Sequence, residues 1–348
     1  MEKAVLTNSI SFPSLFDQAL RRRKDLFESL HAEGTNAYRL FHGIAEGLPG
    51  LTIDRYGSLI LLQTFREELS PAEWDAIETT LRENIPGPVV IAYNHRGRPK
   101  AAAARSFEGR HRPRPESSAD LRCREFGLEY LIRARHRGMD PWLFLDLRAG
   151  RRYIRKTVRG LSVLNLFAYT CAAGISAASG GATDVWNVDF ASSSLKIGRQ
   201  NAVLNDIGDD QFRIIEEDCL PVMRQLAGLP PGVRRSLKRK FRKFKPRLFD
   251  LVVLDPPAWS KGPFGAVDVA RDYPSLFKPA VLAAKPAGGR IMATHHLPSI
   301  KIDSWIDMLK RCAAKAGRPI RSVEPIAPES DFPSFDGHHP LKIVVFEV

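Results

Sequence analysis

Apolar residues recur along this chain with two periods, one helical and one strand-like, and the changes between them mark its elements. Leu15, Phe16, Ala19, Leu20, Leu26, Phe27 and Leu30 fall at helical spacing around the polar run Arg21-Arg22-Arg23-Lys24, so residues 1–35 read as helix. Gly-Leu-Pro-Gly and Tyr-Gly turns divide 38–65 into short apolar and β-branched runs, which predicts a hairpin-like strand pair. A helix over 71–83 and a strand over 88–93 complete a small α/β module. Residues 94–120, rich in Arg, Pro, Ser and Gly, have no period and read as a linker or exposed loop, whereas 121–134 alternates around Phe126-Gly127 as a hairpin does.

Beyond residue 160, continuous apolar runs alternate with helical patterns. The runs are 161–167, 184–190, 211–218, 249–257, 289–296, 321–328 and 341–348. Runs of this kind separated by helices indicate parallel strands covered on both faces, an open doubly wound sheet. The last two are joined by only Glu329 to Pro340, too short for a helical crossover, so the seventh strand is expected to run antiparallel beside the sixth. The expected fold is therefore α/β: a Rossmann-like, seven-stranded sheet of the class I methyltransferase type with an antiparallel last strand, preceded by the small module. The division expected is a helical segment at 1–35, the central α/β module at 36–105, a linker and hairpin at 106–135, and the larger domain at 136–348.

Composition narrows the setting. At 348 residues, 44% apolar and 26% charged, the chain is a packed protein of about two domains. No window reaches the ~20 apolar residues of a membrane span, and the first residues lack the apolar core of a signal peptide, which predicts a cytoplasmic protein without membrane contact. Cys123, Cys171, Cys219 and Cys312 show no metal-ligand or disulfide spacing, so no metal is expected. The net charge of +13 favours a polyanionic partner. Nine Lys/Arg and no acid lie in 234–247, where Val233, Leu237, Phe241 and Phe244 recur at helical spacing. This predicts a basic amphipathic helix, with Lys238, Arg239, Lys240, Arg242 and Lys243 as candidate RNA contacts. A solvated helix or a membrane-surface helix has the same pattern.

Ligands of such sheets sit beyond the carboxyl ends of the strands. The loop after the first strand, Ala168-Tyr169-Thr170-Cys171-Ala172-Ala173-Gly174, is built of small residues but lacks the G-x-G-x-x-G pattern that a pyrophosphate needs. S-adenosylmethionine carries no phosphate and suits it. Asp189 closes the second strand, where a carboxylate accepts ribose hydroxyls, and Asp218 closes the third, in reach of an adenine amino group. Either acid alone is equally a helix cap. Candidate cofactor residues are Asn165, Phe167, Tyr169, Thr170, Asp189, Phe190, Asp218, Cys219 and Asp255.

Asp255-Pro256-Pro257-Ala258-Trp259 is the most specific motif. Methyl transfer from a sulfonium leaves the protein mainly to orient a nucleophile. Two prolines fix the backbone so that Asp255 and the Pro256 carbonyl accept hydrogen bonds from a base while Trp259 offers a stacking face. Asp255, Pro256 and Trp259 are thus the candidate catalytic residues. The alternative is a rigid loop with Trp259 in the core.

The segments 42–57, 143–152, 163–178, 187–206, 249–259 and 271–290 resemble bacterial large-subunit ribosomal RNA methyltransferases, including the PUA-containing cytosine-5 enzymes and the guanine-N7 half of a fused enzyme. The resemblance covers roughly residues 36–348. It implies a central module followed by a class I domain, places Asp146 and Arg148 at the cofactor's amino-acid end, and leaves Arg151, Arg152, Arg155, Lys156 and Arg159 to face RNA. Three departures stand out. Only about 35 residues of helical pattern precede the module, without a PUA domain. Asn165 and Thr170-Cys171-Ala172 replace the usual acid and Gly-rich turn. Cytosine-5 transfer needs a cysteine that the resemblance places after the fifth strand, where this chain has Thr294-His295-His296-Leu297.

The expected activity is S-adenosylmethionine-dependent methylation of an RNA base nitrogen, with 23S rRNA or a ribosomal particle as partner. His295 and His296 either touch the target or are capped surface residues. Cytosine-5, small-molecule or protein methylation, and a non-catalytic RNA-binding protein with a degenerate pocket, are the alternatives.

Overall fold

A computed structural model of the chain describes residues 11–97, 121–134, 140–231, 242–262, 265–334 and 336–348, without the side chains of 260–267. It divides into two compact units, 1–141 with 330–333 and 142–329 with 334–348.

In the first unit, helices α1 (Phe12–Arg22) and α2 (Lys24–Ala32) precede strands β1 (Ala37–Phe41), β2 (Leu51–Tyr56) and β3 (Leu59–Thr64), helix α3 (Pro71–Asn84) and strand β4 (Val90–His95). The four strands form one sheet in chain order. The pair expected over 38–65 is therefore a three-stranded meander, because β1 was hidden in a run too short to show its own alternation. Phe16, Ala19 and Leu30 of the helices share a core with Tyr38, Ile53, Leu62 and Leu81. Helix α3 is fixed at its start by reciprocal bonds, Glu73 N–H to the Ser70 hydroxyl at 3.3 Å and Ser70 N–H to the Glu73 carboxylate at 2.8 Å. Strands β5 (Leu121–Glu125) and β6 (Leu128–Ile132) form the expected hairpin. Its turn residues Phe126 and Gly127 have φ of 57° and 78°, the left-handed pair that matches strand twist.

The second unit runs α4 (Arg148–Thr157), β7 (Ser162–Leu166), α5 (Ala172–Ser179), β8 (Asp184–Asp189), α6 (Ser192–Leu204), β9 (Phe212–Glu216), α7 (Cys219–Leu226) and β10 (Leu251–Leu254). It continues with β11 (Trp259–Gly262), β12 (Gly265–Asp268), α8 (Val269–Ala283), β13 (Arg290–His295), α9 (Ile302–Lys315), β14 (Ser322–Ile326) and β15 (Lys342–Glu347). The seven-stranded sheet has the order β14-β15-β13-β10-β7-β8-β9. Only β15 is antiparallel, to β13 on one side and β14 on the other. The expected fold is present, with the last strand inserted between the fifth and sixth. Leu164, Val188, Val252, Phe277, Ile291 and Phe346 lie in a core continuous with the helices.

Two local readings change. Residues 242–248 carry no helix, so the amphipathic helix expected over 233–247 is absent from that stretch; residues 232–241, with Lys238, Arg239 and Lys240, lie outside the described residues. Pro246 helps explain this, since a proline removes a helix donor. The β11–β12 hairpin was not legible, its strands being only four residues each.

Candidate active site at the carboxyl end of the sheet

Strands β7, β8, β9 and β10 are mutually parallel, so Leu166, Asp189, Glu216 and Leu254 end at one edge of the sheet. The loop between β7 and α5 reverses through three left-handed residues, Phe167, Tyr169 and Cys171, with φ of 57°, 50° and 63°. Non-glycine residues rarely adopt such angles, and the surroundings hold them there. Tyr169 N–H donates to Asp189 Oδ2 at 2.9 Å, the Thr170 hydroxyl donates to the Trp142 carbonyl at 2.6 Å, and Phe167 N–H donates to Cys219 Sγ at 3.1 Å. Gly198 of α6 lets this loop approach: a Cβ there would lie 2.5 Å from Cys171 Sγ. Gly174 does the same for α5, since a Cβ would meet Asn187 Oδ1 at 1.9 Å.

The expected cofactor residues separate into two groups. Asp189 is buried at 9% exposure, its Oδ1 accepting Ala191 N–H at 2.9 Å, and Phe190 beside it is 37% exposed. Burial holds the Asp189 carboxyl above its ordinary value, outweighing the backbone N–H groups that bond it. Each of its oxygens has a further lone pair for a hydroxyl. Asp218 caps α7 through Leu220 N–H at 3.0 Å, the cap reading of that residue.

The side chains of the second group are engaged in the fold. Asn165 Nδ2 donates to Asn187 Oδ1 at 2.9 Å, Thr170 is buried on Trp142, and the Cys219 thiol donates to the Val188 carbonyl at 3.2 Å. The Thr170 carbonyl also accepts Asn201 Nδ2 at 3.3 Å, and Asn165 lies within the sheet between Val253 and Asn187. Arg148 is wholly buried, with Nε 2.6 Å from Glu329 Oε2, while Arg152 Nε reaches Glu329 Oε1 at 2.7 Å. Burial raises the Glu329 carboxyl, but these two guanidinium groups bring it below its usual range. Arg151 is also buried and so does not join the basic face expected of this segment, whereas Arg152 is half-buried on Glu329 and Lys156 and Arg159 are exposed.

The set fits S-adenosylmethionine: an acid with lone pairs left for the ribose, an exposed aromatic face beside it and a tight loop after β7. A nucleotide pyrophosphate would meet Asp189 without a Gly-rich cradle.

At the acceptor side, Pro257 and Trp259 are exposed, Trp259 at 62%. The core reading of Trp259 is thereby excluded. Asp255 Oδ1 accepts the Thr294 hydroxyl and lies 2.8 Å from His296 Nε2. Burial would raise the Asp255 carboxyl, but the His296 bond and charge, Thr294 and Arg151 bring it below its ordinary value. His296 moves the opposite way: burial lowers it, and Asp255 with Asp146 raises it above 6.5 overall. The sequence offered both histidines as candidates, and only His296 enters this site.

None of the four thiols directly follows β13. Cys123 is in β5, Cys312 in α9, and Cys171 and Cys219 are buried with burial pushing both thiols well up. Along the β9 edge, a separate cavity of about 630 Å³ is lined by Arg199, Arg213, Arg242, Lys243 and Lys245 with Asp209, over Trp186 and Phe244. Among the described residues no cluster of metal-ligating side chains occurs and no helix is long and apolar enough to cross a membrane.

A family profile described as S-adenosylmethionine-dependent methyltransferase matches residues 38–347. Ribosomal RNA large subunit methyltransferase I of Aeromonas hydrophila is 28% identical over 324 residues, covering 91% of this chain and 76% of that protein. Ribosomal RNA large subunit methyltransferase K/L of a Shewanella species is 27% identical over 300 residues, 84% of this chain and 39% of that protein. Among solved structures, a methyltransferase complexed with SAH superposes with a TM-score of 0.77 at 22% identity, covering 98% of this chain and 83% of that one, a likeness of fold.

Proposed function

The chain belongs to the S-adenosylmethionine-dependent methyltransferase family, and from that premise we propose that it methylates a base nitrogen of large-subunit ribosomal RNA in the cytoplasm, on 23S rRNA or a ribosomal particle. When bound, S-adenosylmethionine supplies an electrophilic methyl group. Asp189 accepts the ribose hydroxyls, Phe190 covers the adenine, Asp218 lies near its amino group, and Asn165, Phe167, Tyr169, Thr170 and Cys219 line the remainder. Arg148 shapes the amino-acid end through Glu329.

The acceptor base stacks on Trp259, brought there by extrusion from its neighbours. Asp255 Oδ2 and the Pro256 carbonyl, which bond no donor among the described residues, accept its N–H groups. Arg242 and Lys243, both exposed, hold phosphates along the β9-edge groove. The observation that carries the choice of nitrogen is the strand-end pairing of Asp255 with His296 where a cytosine-5 enzyme needs a thiolate. Mass spectrometry of rRNA nucleosides from cells with and without the gene tests it. An N-methylated purine missing from the deletion strain is expected; a missing 5-methylcytidine would overturn the nitrogen assignment.

A further inference from the structure

We propose that His296 is the proton acceptor of the methyl transfer, its Nδ1 taking the proton that the acceptor nitrogen must release. The proposal rests on the nitrogen-methylation reading above. An amino or ring N–H that gains a methyl group becomes cationic and must lose a proton to end neutral, so such a site needs a group to receive it.

Thr294 and His295 close β13, and His296 is the next residue. The two histidines diverge completely. The His295 ring is 1% exposed, stacked on Tyr273 with centroids 5.5 Å apart, edge-on to Trp305, and its Nδ1 accepts Leu297 N–H at 3.2 Å. Burial brings it down to about 4, so it is a neutral part of the core. The His296 side chain is 32% exposed and its Nε2 lies 2.8 Å from Asp255 Oδ1.

A carboxylate can only accept, so in the neutral ring the proton sits on Nε2 and the lone pair on Nδ1. The Thr294 hydroxyl donates to the same carboxylate oxygen and fixes its direction. No group among the described residues bonds Nδ1. An oriented imidazole with a carboxylate behind it and an open nitrogen in front is the arrangement of a general base.

The acceptor nitrogen forms a bond to the methyl carbon, and the carbon–sulfur bond breaks with its electron pair going to sulfur, leaving SAH. The N–H bond then breaks and its proton moves to His296 Nδ1. The resulting imidazolium is held by Asp255 and passes the proton to water.

Among the described residues, the charged or titratable groups that act on this ring are Asp255 after β10, Asp146 before α4, Lys342 on β15 and His295 on β13. The acids prevail, so the base becomes neutral only above the ordinary histidine value of 6.5. The rate therefore rises with pH and levels off above that value.

The test is single-turnover methylation of unmodified large-subunit rRNA across pH, for wild type and His296→Asn, with calorimetry of SAH binding to both. The expected result for His296→Asn is a rate lower by about 100-fold or more, loss of the pH inflection, and unchanged SAH affinity. Wild-type rate and inflection in the variant would overturn the proposal while leaving an N-methylated product, and with it the functional reading, intact. A 5-methylcytidine product would overturn both. Independently of any variant, ¹⁵N NMR of the histidine rings in the wild-type protein should find His296 as the Nε2–H tautomer; an Nδ1–H tautomer defeats the proposal.

Discussion

Asp189 and Asp255 occupy equivalent places, each at the carboxyl end of a parallel strand in the same sheet, yet their carboxyl groups are shifted in opposite directions. Among the described residues Asp189 meets backbone N–H groups of its own loop and of Tyr169, with the Asp218 carboxylate nearby, and burial prevails. Asp255 meets a hydroxyl and an imidazole from the neighbouring strand, with Arg151 nearby, and these overcome burial. A raised carboxyl favours the fold in acid, an advantage lost as pH rises through its folded value; a lowered one favours the fold above the unfolded value and loses that as pH falls through the folded value. Position in the fold supplies two strand-end acids, and their non-local partners set the two carboxyl groups apart, which supports the binding role proposed for one and the chemical role proposed for the other.

The largest effect that could break this comparison is expected of Asp255→Asn. An amide can donate as well as accept, so the Nε2–H tautomer of His296 is no longer enforced, and the single-turnover rate should fall by about 100-fold or more with SAH affinity retained. If Asp255→Asn weakened SAH binding instead, the two acids would share one role. Asp189→Ala should do the converse. Losing hydrogen bonds to a charged acceptor costs about 1.5–3 kcal/mol, so SAH affinity by calorimetry should drop roughly 10- to 100-fold, with the rate restored at saturating cofactor.

Trp259→Ala sharpens the acceptor side, removing a stacking face worth about 1–3 kcal/mol per base. It should raise the KM for RNA at least about fivefold on that scale, without touching SAH binding. The smallest effect belongs to Arg242 and Lys243. Replacing both with Ala should lower the slope of log affinity against log salt by about 0.7–0.9 per lost phosphate contact, measured by RNA binding across a salt series. An unchanged slope would remove the β9-edge groove from RNA recognition.

Much of this arrangement was legible in the chain. The seven strands of the larger sheet, the Phe126-Gly127 hairpin and the acids at the strand ends all follow from apolar runs and turn residues, because burial on two faces imposes continuous apolar sequence. Strand β1 and the β11–β12 hairpin were not legible, each being at most five residues long. Arg151 is expected to face RNA, yet it is buried beside Arg148, the residue expected at the cofactor's amino-acid end. Glu329, which pairs with Arg148 across 181 residues, could not be matched to it from spacing. Cys219 is expected at the cofactor by its place after β9, but that its thiol bridges Phe167 N–H and the Val188 carbonyl was not legible, since both partners are distant in sequence.

The chain by itself determined the sheet, the cofactor end and the Asp-Pro-Pro segment, since periodicity and turn chemistry act over a few neighbouring residues. Tertiary structure alone decided which of two adjacent histidines meets Asp255. His295 and His296 are the same residue type one position apart, and the partners that tell them apart, Tyr273 and Trp305 for one and Asp255 for the other, come from distant elements. Local pattern places a side chain on a strand end; only packing says what it faces.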